Sequence, residues 1–137
     1  MHTIVVGYDS TEASARALDR AGDIASAFGS TVVVTSVAGV LTGTSRGGGS
    51  VDPTDPAEEH DALLEAARAK LAERGIEASS VLGVGHPADA IVQLAEERGA
   101  DLVVVGTREP GFWERMLGNS VSASVQRQAR CDVLIVH

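Results

Sequence analysis

Hydrophobic residues along this chain alternate between two textures: short unbroken β-branched runs, and longer stretches in which apolar or small residues recur every three or four positions. TIVVG at residues 3–7 is the first short run, and its continuous apolar character predicts a central parallel strand covered on both faces. Across 11–28, Ala13, Ala17, Leu18, Ala21, Ile24, Ala25 and Phe28 trace one helical face, with Ser10 expected as N-cap, Glu12 in the first turn and Gly29 as the stop. TVVVTSV at 31–37 repeats the strand texture. The chain therefore opens as strand, helix, strand, a crossover unit whose strands run parallel.

The pattern breaks at 38–56, AGVLTGTSRGGGSVDPTDP, where Gly, Ser, Thr, Asp and Pro replace any period and predict a loop, mobile around 47–49. A loop of this length is functional or partly disordered, and composition does not choose between the two. Periodicity resumes at 57–74, where Ala62, Leu63, Ala66, Ala67, Lys70 and Leu71 mark the expected inner face of a helix ended by Gly75. A weaker strand follows at 78–83, and His86-Pro87-Ala88-Asp89 opens a third helix with Ile91, Val92, Leu94 and Ala95 facing inward and Gly99 as its stop. Strands at 101–106 and 132–136 flank a loop and a helix over roughly 119–129. The order β-α-β-α-β-α-β-α-β predicts an α/β three-layer sandwich with a mostly parallel five-stranded sheet. The last strand ends the pattern and is strongly apolar, so it is expected at a sheet edge, open to pairing with a second copy in a homodimer.

Composition narrows the function. The 137 residues suit one domain, 1–137, and a content of 44% apolar against 3% aromatic residues builds its core from Val, Leu, Ile and Ala. Eleven Lys and Arg against 19 Asp and Glu give a net charge of -8, which argues against nucleic acid and anionic membranes as partners. Cys131 is the single cysteine and forms no internal disulfide, the opening MHTIVVGYDS lacks signal-peptide character, and no apolar run spans a bilayer, so the cytoplasm is the expected location. His2, His60, His86 and His137 lack metal-ligand spacing, and no Gly-x-Ser-x-Gly turn supports a serine nucleophile. Phe112 and Trp113, side by side in a loop, are expected to pack rather than to stack on a base.

Ligands of open α/β sheets bind beyond the carboxyl ends of the strands, which directs attention to the strand exits. Gly7-Tyr8-Asp9-Ser10 follows the first strand, Val37 closes the second, and Gly106-Thr107-Arg108-Glu109-Pro110-Gly111 follows the fourth and leads to Gly118-Asn119-Ser120 before the last helix. The glycines allow close backbone approach, and Asn119 and Ser120 stand at a helix start, whose free N–H groups suit a phosphate. Asp9 is suited to bond ribose hydroxyls and Val37 to offer an apolar edge to a base. The combination describes a nucleotide site without a Walker A or a Gly-x-Gly-x-x-Gly sequence.

The series IVVGYDS, GHPADAIVQLAEERGADLVVVGTR, MLGNSV and CDVLIV, spread over essentially the whole chain, resembles the universal stress protein family. The resemblance implies a Rossmann-like fold of the adenine nucleotide alpha hydrolase type, homodimerisation, and membership of an ATP-binding or a non-ATP-binding branch. The ATP-binding branch carries Gly-x-x-Gly, a spacer, then Gly-Ser/Thr. By position, Gly106 matches the first glycine, Gly118 with Ser120 approximates the final pair, Asp9 matches the ribose- or adenine-side aspartate and Val37 the adenine-side valine. Glu109 stands at the second glycine and Asn119 separates Gly118 from Ser120, as in some nucleotide-binding members with a shorter spacer.

Residue chemistry and resemblance together nominate Gly7, Asp9, Val37, Gly106, Thr107, Arg108, Gly118, Asn119, Ser120 and Val121 as contacts of ATP or a related adenine nucleotide, with Mg²⁺ as an accompanying ion. Glu109 opposes this. A carboxylate within about 4 Å of a phosphate costs about 1 kcal/mol in water-like surroundings and several at a protein surface. Arg108 and Arg115 are the available counter-charges. The expected function is a sensor or regulatory module with no catalytic residue and at most a slow ATPase activity. The alternative is a dimeric interaction protein of the non-nucleotide branch, its phosphate site closed by Glu109.

Overall fold

The computed structural model describes residues 1–38, 57–107 and 121–137. Among the described residues nine elements follow one another: β1 (Thr3–Gly7), α1 (Glu12–Phe28), β2 (Thr31–Ala38), α2 (Ala57–Glu73), β3 (Ala78–Val84), α3 (Pro87–Arg98), β4 (Leu102–Gly106), α4 (Val121–Gln128) and β5 (Asp132–Val136). The five strands form one sheet in the order β3-β2-β1-β4-β5, with every neighbouring pair parallel. The central place of β1 and the edge place of β5 are those expected from their patterns. β3 is the other edge, and its residues are only partly covered, which is why its sequence signal is the weakest of the five.

Strand residues alternate between two cores. Ile4, Val6, Val32, Val34, Leu102 and Val104 pack with Ala17, Leu18 and Ala21 of α1 and Leu64, Ala67 and Leu71 of α2. Val5, Val33, Val37, Val103 and Val105 pack on the opposite face with Ile91, Val92 and Leu94 of α3 and Val121 and Val125 of α4. The chain steps from β1 outward to β3 with α1 and α2 on one face, then crosses to β4 and β5 with α3 and α4 on the other, as right-handed crossovers require.

Several local expectations are corrected. Thr11, not Ser10, caps α1: its side chain accepts from the Ser14 N–H, while Ser10 holds a left-handed φ of 67° outside the helix. Phe28, expected on the inner face, ends α1 with 63% of its surface exposed. The buried stripe of α2 is His60, Leu64, Ala67 and Leu71, whereas Ala62, Ala66 and Lys70 face outward. Alanines ring this helix on several sides, so their spacing did not single out a face, and the true stripe begins with a polar residue. Ala38 continues β2, opposite Val84, where the 38–56 loop was expected to start. The remainder of that loop, residues 39–56, lies outside the described residues.

Candidate functional site

β1 and β4 are neighbours whose connections leave in opposite directions, the arrangement that opens a crevice at the carboxyl edge of a doubly wound sheet. Their register runs from Ile4 opposite Leu102 to Val6 opposite Val104. Beyond it the two chains part. The Tyr8 N–H donates to the Thr35 carbonyl of β2 at 2.9 Å, while the Thr107 N–H donates to the Val136 carbonyl of β5 at 2.8 Å. Each exit thus leans on its outer neighbour, and Gly7 to Asp9 face Gly106 and Thr107 across the switch point.

At Gly106 packing itself requires glycine, and at Gly7 it leaves little room for more. A Cβ on Gly106 would lie 2.6 Å from the Ala13 carbonyl carbon and 2.8 Å from the Ser14 nitrogen, so the first turn of α1 rests directly on the end of β4. A Cβ on Gly7 would lie 3.1 Å from Cδ1 of Ile91, tighter than ordinary contact. The close approach expected at Gly106 is therefore made by the protein's own helix.

Asp9, half-buried, sits in a closed hydrogen-bond network between β1 and α1. Its Oδ1 accepts from the Thr11 N–H at 3.0 Å and from the Thr11 hydroxyl at 2.6 Å. Its own N–H donates to Ser14 Oγ at 3.2 Å, and that hydroxyl donates to the Thr11 carbonyl at 3.0 Å. Thr11 and Ser14 were not among the residues expected at the site. The Asp-x-Thr-x-x-Ser spacing was the signal that could have found them, since a carboxylate two residues before an N-cap reaches its amide.

Val37 lies at the exit of β2 and is fully buried among the α3-side residues. The valine was absorbed by the core because successive strand residues alternate faces and Val37 shares one with Val33. Val121 opens α4 and is also buried. Arg108, Gly118, Asn119 and Ser120, with Glu109, Phe112, Trp113 and Arg115, lie outside the described residues. Arg16, one turn into α1, donates from Nε to the His137 carbonyl at 2.9 Å and so ties α1 to the end of β5.

Away from this edge, His60 Nδ1 and Ser36 Oγ are 2.5 Å apart, both buried beneath α2, a polar link missed because a lone histidine in an acidic first turn reads as solvated. Among the described residues no group of three or more His, Cys, Asp and Glu could hold a metal ion, and no helix is long and apolar enough to cross a membrane.

A parallel five-stranded sheet in the order 3-2-1-4-5 with helices on both faces defines a doubly wound, Rossmann-like α/β architecture. Residues 1–137 match the universal stress protein family, and the chain belongs to that family. Universal stress protein Rv1636 of Mycobacterium tuberculosis (strain ATCC 25618 / H37Rv) is 38% identical over 146 residues, covering 98% of this chain and 95% of its own length. A crystal structure of a universal stress protein in complex with cAMP superposes with a TM-score of 0.75 at 34% identity, covering 99% of this chain and 97% of that one. The universal stress protein from Archaeoglobus fulgidus in complex with dAMP superposes at 0.74 with 26% identity, over 100% of this chain and 98% of that one.

Proposed function

We propose that this protein binds an adenine nucleotide in the crevice between the exits of β1 and β4 and acts as a stress-response sensor or regulatory module. The observation that carries the reading is that pairing of β1 with β4 ends at Val6 and Val104, next to Asp9, in a chain 34% identical to a protein crystallised with cAMP. Asp9 bonds the ribose, the backbone at Gly7, Gly106 and Thr107 lines the cleft, and Arg108 with the 118–121 segment takes the phosphates. ATP with Mg²⁺ is the ligand proposed first, and cAMP, dAMP and AMP are the competitors to test beside it. Turnover is slow or absent: Asp9, the carboxylate at the β1 exit, has its Oδ1 already engaged by Thr11. The chain works as one domain in the cytoplasm, as a homodimer through the open edge of β5, residues 132–136.

Mass spectrometry of denatured, freshly purified protein tests the ligand: a co-purified adenine nucleotide is expected, and Gly118→Glu should remove it. Absence of binding by ATP and cAMP at millimolar concentration, with Mg²⁺ present, transfers the protein to the interaction-protein reading. Glu109, standing where the ATP-binding branch carries glycine, is the observation that favours that second reading. Glu109→Gly should then create ATP binding that the natural chain lacks.

A further inference from the structure

Thr11 does more than cap a helix. Its hydroxyl accepts from the Ser14 N–H at 3.2 Å and donates to Asp9 Oδ1 at 2.6 Å, while its own N–H reaches the same oxygen at 3.0 Å. Two donors on one carboxylate oxygen fill both of its lone-pair directions. Among the described residues no donor reaches Asp9 Oδ2. The backbone is over-determined in the same place: Ser10 keeps a left-handed φ of 67°, a conformation non-glycine residues hold at a cost, and it is bracketed by the Asp9 N–H to Ser14 Oγ bond and the Ser14 hydroxyl to Thr11 carbonyl bond. Ser14 is buried, and the first turn carrying it is pinned against Gly106. The carboxylate is therefore held in one rotamer by groups fixed to both β1 and β4.

We propose that Thr11, backed by Ser14, is a positioning residue for nucleotide recognition: it saturates Asp9 Oδ1 and so presents Oδ2 alone, already oriented, to a hydroxyl of the ligand's ribose. This rests on the nucleotide reading given above. Pre-orientation raises affinity because the rotamer entropy of the carboxylate is lost on folding rather than on binding. A cap alone would contribute to stability and leave affinity to the other contacts.

A double-mutant cycle separates the two roles, with ATP and Mg²⁺ as the probe in isothermal titration and thermal unfolding run in parallel. Thr11→Val is expected to weaken ATP binding about tenfold, the scale of losing a hydrogen bond to a charged group, and Thr11→Ser to restore it. In an Asp9→Ala background Thr11→Val should change ATP affinity no further, while it still lowers the unfolding temperature through the lost cap. Equal weakening in both backgrounds, or none in the natural background, overturns the proposal and leaves Thr11 a cap. A natural chain that takes up neither ATP nor cAMP overturns the nucleotide reading itself, an outcome distinct from either; if only cAMP binds, the same cycle is read with cAMP.

Discussion

Gly106 shows how a residue chosen for one reason can be held for another. Its missing side chain suits a phosphate loop, yet the nearest atoms to a Cβ there belong to the backbone of Ala13 and Ser14, which cannot swing aside. Gly106→Ala is expected to destabilise the protein by about 1 to 3 kcal/mol, the range for forcing extra volume into a packed site, measured by urea unfolding. Asp101 behaves differently, being a carboxylate at the opposite end of the sheet. Backbone N–H groups of His2, at 2.6 Å, and Thr3, at 3.0 Å, donate to its Oδ2 and hold its carboxyl below the usual range. A lowered native value means that its contribution is fully present above the unfolded pKa of about 3.9 and is lost as pH falls through the native value. Asp101→Asn should therefore be less stable than the natural chain at neutral pH, and the gap should close in acid; a gap independent of pH would refute the assignment. Cys131 sits partly covered beside a hollow of about 110 Å³ lined by Val92, Ala95, Ala100 and Ala129, and burial, then the charge of Asp132, pushes its thiol up. Its alkylation by iodoacetamide should be slower than that of a free cysteine at pH 8 and accelerate at higher pH.

α2 is fastened to the sheet by an apolar stripe and by a polar link from His60 to Ser36. Its stripe of Leu64, Ala67 and Leu71 is extended toward the helix start by His60, bonded to Ser36 of β2. His60→Ala leaves the Ser36 hydroxyl buried without this partner, and a loss of about 1 to 3 kcal/mol in unfolding free energy is expected. The same helix marks where sequence patterns stop being informative. Continuous runs such as TIVVG and LVVVG name their strands because a strand covered on both faces admits little but β-branched residues. The stops at Gly29 and Gly99 are equally legible, since both adopt a left-handed φ that other residues rarely hold. Faces of alanine-rich helices are not legible, because small residues pack on either side. The cap of α1 was displaced by one residue because Ser10 and Thr11 both carry hydroxyls, and only the chain's turn through Ser10 decides which one meets the Ser14 amide. At the candidate site, position along the chain located Asp9 and Gly106 at strand exits, and the Asp-x-Thr-x-x-Ser spacing carried the Thr11 contact, but the depth of Val37 in the core emerges only once both faces of the sheet are covered.

The molecule as a whole divides its labour between two edges of one sheet. The amino edge is closed by contacts such as Asp101 to the first residues and the Ser30 hydroxyl to the Met1 carbonyl at 2.7 Å. The carboxyl edge opens where β1 and β4 separate, and the family's relatives solved with cAMP and dAMP share the same architecture. A net charge of -8 makes an anionic ligand dependent on local amides and arginines rather than on the overall field, so affinity should respond only weakly to salt beyond the screening of those few charges. The most direct measurement is an amide-resolved NMR titration with ATP and Mg²⁺. Saturable shifts concentrated at residues 7–14, 106–107 and 121 are the predicted result. Shifts centred on the amino edge, around Gly29 and Gly75, or no shifts with either ATP or cAMP at millimolar concentration, would contradict a nucleotide site between β1 and β4.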